Sequence, residues 1–190
     1  VMNGERIHLY DANFHDIDVL NAQSSNKRVA MAGSNGTSTL YGSDYDDDLA
    51  GSNGNTTFYG GGSADRIWCG AGVDTIMFSV GSNRDVVNSF DVNKDRIQSV
   101  SATLQKVGTA GNDVYLRYSA GNDVLQIKGI VNKSFLLNGQ RTMVMAQDKA
   151  NTVTYVAGVT YYGSKTKQDT LKVMNGERIH LYDANFHDID

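Results

Sequence analysis

The chain contains no proline in 190 residues. Proline cannot donate to a strand ladder, so its absence leaves the backbone free to pair in uninterrupted sheets. Cysteine occurs once, which excludes an internal disulfide framework. No run of 18 apolar residues is present, so no helix of this sequence is expected to span a membrane. Basic charge is not in excess. Seventeen Lys and Arg stand against 21 Asp and Glu, for a net charge of −4 and a pI near 5.5. A nucleic-acid partner would want a basic face, so none is expected. The motifs G-x-S-x-G, H-E-x-x-H and the P-loop are missing, and the chain reads as a non-enzyme. A 3.6-residue apolar stripe is missing too, which leaves an all-β reading. The first ten residues, VMNGERIHLY, do not form a signal peptide, and a chain opening on Val reads as a fragment.

Glycine is plentiful, at 20 residues, and it falls into a pattern. From Gly33 to Met77 the chain is written in nines: GSNGTSTLY (33–41), GSDYDDDLA (42–50), GSNGNTTFY (51–59), GGGSADRIW (60–68) and CGAGVDTIM (69–77). Each unit opens on Gly or Cys, and each has an apolar residue at its eighth place: Leu40, Leu49, Phe58, Ile67 and Ile76. Asp fills the sixth place in three units, as Asp47, Asp65 and Asp74. Ser38 and Thr56 take that place in the other two, and Tyr45 and Ser63 replace the fourth-place Gly.

Nine residues suit a turn followed by a short strand. The Gly-rich half supplies the turn, and the apolar eighth residue points inward from the strand. Two units then make a coil of about 18 residues, with parallel strands stacked at ~4.8 Å. No unit buries its apolar residue alone, so stability comes from stacked neighbours. This predicts a parallel β-roll, a β-solenoid, flanked by hairpins and strands that continue the stack. Alternate units face the same side, so Asp47 stacks under Asp65, while Ser38, Thr56 and Asp74 form the other series. Facing carboxylates repel until a hard cation with oxygen ligands neutralises them, and calcium fits better than zinc. Calcium is expected between Asp47 and Asp65, again between Asp65 and Asp85, and not between Ser38 and Thr56. Asp74 would share a weaker ion with Asp95.

The five units resemble the nonapeptide G-G-x-G-x-D-x-(apolar)-x of RTX proteins, the haemolysin-type calcium-binding β-rolls. The resemblance extends to IDVLNAQSSNKRVAMAGS (17–34), to FSVGSNRDVVNSFDVNKDRIQ (78–98), and to GNDVYLRYSAGNDVLQIKG (111–129). It implies calcium as the cofactor, with Asp47, Asp65, Asp74 and Asp85 as metal ligands. It also implies export from the cell unfolded, which suits a chain with one Cys.

Residues 1–18, VMNGERIHLYDANFHDID, return unchanged as residues 173–190. Chance does not produce eighteen identities, and selection for a fold would not preserve exposed polar choices such as Asn3 and Asn13. A natural tandem array, or an overlap designed around one, accounts for them. Residues 1–172 then form one module, with the roll at 33–98 and a strand and hairpin region at 99–172. Residues 173–190 begin the next. The repeated Asn-Gly (3–4 and 175–176) reads as a hairpin pairing Leu171–Val173 with Arg178–Leu181, or as a solenoid corner. Strands are expected on both sides of 23–26, after each AGNDV, on both sides of Asn138-Gly139, and on both sides of Gly158. A short helical turn is expected at Ala102-Thr103-Leu104, and a polar turn at 163–169.

Other chemistry-bearing residues have plainer readings. His8, Asp11, His15, Asp16 and Asp18 match no metal-site spacing and read as a polar turn surface, as do their copies. Cys69 has no base beside it and reads as a structural thiol. Asp44, Asp46 and Asp48 read as a solvated turn around Asp47; Asp113 and Asp123 read as turn formers. Asn35, Asn55 and Asn132 fit a glycosylation pattern and nothing more. Resemblance to RTX adhesins implies a structural, adhesive module of a long secreted bacterial protein. Its partners would be further copies of the module and a surface ligand, at the cell surface. The alternative is the calcium-binding secretion region of an RTX protease or lipase.

Overall fold

The computed structural model describes residues 18–100, 103–118, 123–164 and 167–174, with the backbone of two further strands at Ile7–Leu9 and Phe186–His187. Every regular element among the described residues is a strand. The first three are β1 (Ile7–Leu9), β2 (Val19–Asn21) and β3 (Val29–Ala32). The five nonapeptides follow, each closing on one strand: β4 (Ser38–Tyr41), β5 (Asp48–Ala50), β6 (Thr56–Tyr59), β7 (Arg66–Trp68) and β8 (Thr75–Ser79). Then come β9 (Arg84–Asn88) and β10 (Arg96–Val100).

Alternate strands pair in parallel. Leu40 stands beside Phe58 and Phe58 beside Ile76 in one wall, with Leu49 beside Ile67 in the other. Sheet A is built on β1, β3, β5, β7 and β9, and sheet B on β2, β4, β6, β8 and β10. The five eighth-place residues are 0–1% exposed. Burying each contributes about 1.5–3 kcal/mol before entropy is counted. This is the two-walled roll expected from the period of nine.

Beyond β10 the coil is interrupted by a meander: β11 (Leu104–Ala110), β12 (Asp113–Tyr118) and β13 (Val124–Ile127), joined antiparallel. Strand β13 then lies parallel on β9 and extends sheet A. Leu104 belongs to β11, which corrects the expected helical turn there; pairing with Tyr118 overrides the local preference. Ala102 lies outside the described residues. On the other wall, β14 (Ser134–Leu137) extends sheet B parallel to β10.

Asn138-Gly139 joins β14 to β15 (Gln140–Val144) in an antiparallel hairpin. Both residues have positive φ, 50° and 78°, as a type I′ turn requires. Sheet B continues beyond it through β17 (Val159–Tyr162) and β19 (Phe186–His187), both pairings parallel. A third sheet, C, consists of β16 (Thr152–Thr154) parallel to β18 (Thr170–Lys172). Leu171 thus pairs with Val153; the hairpin expected at Asn175-Gly176 lies outside the described residues.

The hairpin changes which face of sheet B is inside. Successive strand residues point to opposite faces, and Met143 and Val144 are both buried. Val144 joins the core shared with Phe135 and Leu137. Met143 joins a second core with Met145, Val159 and Tyr161, against Val153 and Leu171 of sheet C. Sheet B is therefore a shared wall: sheet A covers one face of it, and sheet C covers the other further along. Strand direction and core side reverse together, so both rolls wind in the same sense.

Candidate metal centre

Each sixth-place Asp sits just before its strand, with its carboxylate folded back into the coil. For Asp47, Oδ2 accepts the Ser43 N–H at 2.5 Å, four residues earlier, and Oδ1 accepts the Val29 N–H at 2.7 Å, one coil below. The Ser43 hydroxyl lies 3.0 Å from both oxygens. The pattern repeats up the stack. Asp65 Oδ1 accepts the Asp47 N–H at 2.8 Å, and Asp85 Oδ1 accepts the Asp65 N–H at 3.0 Å. The other series does the same. Asp74 accepts the N–H groups of Thr56 and Gly70 at 2.8 and 2.7 Å, and Asp95 those of Asp74 and Asp91 at 2.9 and 2.8 Å.

Sequence stacking placed Asp47, Asp65 and Asp85 in one ladder and Asp74 with Asp95 in the other; the structure brings them together in that way. All five are buried, at 0–3% exposure. Ser38 stands in for Asp in part: its Oγ accepts the Ser34 N–H at 2.8 Å and lies 3.0 Å from the Ser34 hydroxyl. The Thr56 hydroxyl is buried and acts on the Asp74 carboxyl, opposing the lift from burial.

Burial lifts the carboxyls of Asp47, Asp74 and Asp95 above the ordinary range, against the pull of their backbone hydrogen bonds. Asp65 is pushed up to about 9, first by burial and then by the charges of Asp85, Asp47 and Asp46. Asp85 is raised by burial and by Asp123. Asp65 Oδ2 has no hydrogen-bond partner. It borders Gly60: a methyl there would stand 2.4 Å from Asp65 Oδ2 and 3.4 Å from Asp85 Oδ2. Glycine is required because the two carboxylates converge on that spot. A buried carboxylate oxygen without a donor, flanked by further carboxylates and by glycine turns rich in carbonyls, fits a hard oxygen-seeking cation. It does not fit a soft metal. On the other side, Cys69 Sγ and oxygens of Asp74 and Asp95 lie within 4.8 Å of one another. Burial, then Asp95 and Asp74, hold the Cys69 thiol protonated, so it is no nucleophile.

The sequence profile of the RTX calcium-binding nonapeptide repeat matches in four copies, over residues 32–55, 41–76 and 50–84. Residues 32–84 form an RTX β-roll. RTX nonapeptide repeats bind calcium, and proteins that carry them are typically secreted. No curated protein matches the sequence significantly. The matched residues of the RTX roll span both ladders from Ser38 to Asp74.

Two residues of the ladders were read otherwise from sequence. Asp123, taken as a turn former, is 3% exposed and accepts the N–H groups of Gly81 and Asn83, both at 3.0 Å. The register sets Leu125, not Asp123, beside Asp85, but the Asp123 charge still reaches the Asp85 carboxyl. Asp169, placed in a polar turn, is 2% exposed and accepts the N–H groups of Ser164 at 2.5 Å and Asn151 at 2.9 Å. It is the sixth-place Asp of the second roll. The signal was present: Asn151-Thr-Val-Thr and Asp169-Thr-Leu-Lys stand 18 residues apart. Asp113 opens β12 and accepts the Gly129 N–H at 3.0 Å and the Gln126 amide at 2.7 Å, both from the neighbouring β13 segment. The flanking acids are occupied elsewhere: Asp48 pairs with Arg66 at 2.6 Å, and Asp46 accepts the Ala64 N–H at 3.0 Å. Of the histidine cluster only Asp18 has a described side chain, and it is exposed.

Proposed function

We propose that this chain is a structural module of a long secreted bacterial tandem-repeat protein, a surface fibre, adhesin or biofilm-matrix component, folded by calcium. The observation that carries this is the eighteen-residue identity between 1–18 and 173–190. Asp47, Asp65 and Asp85 would hold the tighter ions, and Asp74 with Asp95 a weaker one. Inside the cell calcium is scarce, the ladder repels itself, and the chain stays open for export. Outside, millimolar calcium exceeds dissociation constants of roughly 10⁻⁴–10⁻³ M typical of extracellular sites. The module does no chemistry of its own; its partners are further copies and a surface ligand.

The competing reading, a secretion region attached to an RTX protease or lipase, does not call for a 172-residue period. The mass of the intact native protein decides between them. A fibre gives a mass equal to many modules of 172 residues. An H-E-x-x-H or G-x-S-x-G domain flanking a single module overturns the proposal.

A further inference from the structure

Strand directions in the two rolls limit how one module can meet the next. In a two-walled coil the walls run in opposite directions. Before the Asn138-Gly139 hairpin, sheet B runs one way and sheet A the other. After it, β15 and β17 are antiparallel to β14, so sheet B now runs as sheet A did. Sheet C therefore runs as sheet B did. The core follows: it lay between A and B, and it now lies between B and C. By the end of the chain, sheet B has taken the role of sheet A, and sheet C that of sheet B.

The repeated segment is described once at each end. In its first copy, Ile7–Leu9 heads sheet A, parallel to β3. In its second copy, Phe186–His187 extends sheet B, parallel to β17. The two strands are different parts of the repeat, since Ile7–Leu9 corresponds to 179–181 and Phe186–His187 to 14–15. Each copy supplies one strand, parallel to β3 ahead in the first and to β17 behind in the second.

Resting on the tandem-array reading above, we propose that sheet B of each module passes directly into sheet A of the next, and sheet C into the next sheet B. The second roll of one copy and the first roll of the following copy are then one continuous roll. Each module steps sideways by one sheet, about 10 Å, without rotation. The junction is the edge of β18 against β2 of the following copy.

Those two strands match. Both alternate exposed, half-buried, exposed, with Leu171 and Leu20 at their centres. With a period of 172, setting Leu171 beside Leu20 of the next copy gives an offset of 21 residues. Single-coil offsets within the chain are of the same size: 18 for Thr152–Thr170, 20 for Val19–Thr39 and 21 for Arg96–Thr75. Apolar surface is left at both ends of the stack, with Val19 54%, Val173 39% and Met174 63% exposed. A second copy covers it.

The test is a two-copy protein carrying Lys172→Cys in the first copy and Asn21→Cys in the second. These residues flank Leu171 and Leu20 on the outer face, so the junction sets them side by side, within disulfide reach. Mild oxidation is expected to close the bond in most molecules, read by mass and gel mobility. A control pair, Lys172→Cys with Tyr45→Cys of the second copy, is expected to stay reduced. Equal crosslinking of both pairs, or none in a double variant whose circular dichroism matches the parent, overturns the junction. Failure of the array reading shows separately, as a native protein with a single copy of residues 1–172.

Discussion

Asp65 is fully buried, one of its oxygens has no hydrogen bond, and Asp47 and Asp85 stand on either side of it. Without a cation it keeps its proton in the folded state up to pH about 9, whereas the unfolded chain loses it near 4. The folded state then binds more protons than the unfolded one. Stability is fully present below pH 4 and is lost as pH rises through 9, by about 1.4 kcal/mol per pH unit for each such group. Denaturant unfolding in chelator is therefore expected to give lower stability at pH 8 than at pH 5. A flat profile there contradicts the buried ladder. Calcium binds the deprotonated form, so its addition is expected to restore stability most at pH 8. The ladders differ as well. Asp65→Ala is expected to remove most of the calcium-dependent stabilisation, while Thr56→Ala leaves it nearly intact. Equal calcium uptake by the two variants in calorimetry rules this asymmetry out.

Single strands here are three to seven residues among those fully described, and each depends on its neighbours. Ile67 packs between Leu49 below and Val87 above. Ile67→Ala is expected to cost about 2–5 kcal/mol in denaturant unfolding; a cost under 1 kcal/mol means the wall is loose. The strands of the roll were legible because one place in nine is always apolar and no insertion breaks the count. The hairpin at Asn138-Gly139 was legible for a similar reason: two residues suited to positive φ between apolar runs. Its consequence was not. Nothing in SFLLNGQRTMVM says that Met143 and Val144 serve different cores, because both faces of that strand are apolar. Asp123 and Asp169 were missed because each lies outside a run of nines. Asp169 sits one residue further from the Ser it bonds than Asp47 does, five against four, which breaks the motif while keeping the geometry.

Across the described residues, one physical arrangement links packing to charge. The walls supply apolar packing, and the ladders place carboxylates where only a cation or protons allow them to stay. The eighteen-residue repeat was legible in the sequence, whereas the strand directions on either side of the hairpin were not, since no residue type encodes them. Calcium in tenfold excess over a site's dissociation constant stabilises the fold by about 1.4 kcal/mol. For a domain of this size that raises the melting temperature by about 3–6 °C per occupied site. Scanning calorimetry of the 190-residue chain in chelator and in millimolar calcium, at pH 7.5, is the most direct test. The expected result is a single transition that moves up by at least that amount with calcium, and much less in Asp65→Ala. A melting temperature unchanged by calcium would contradict the folding switch and leave a solenoid held by packing alone.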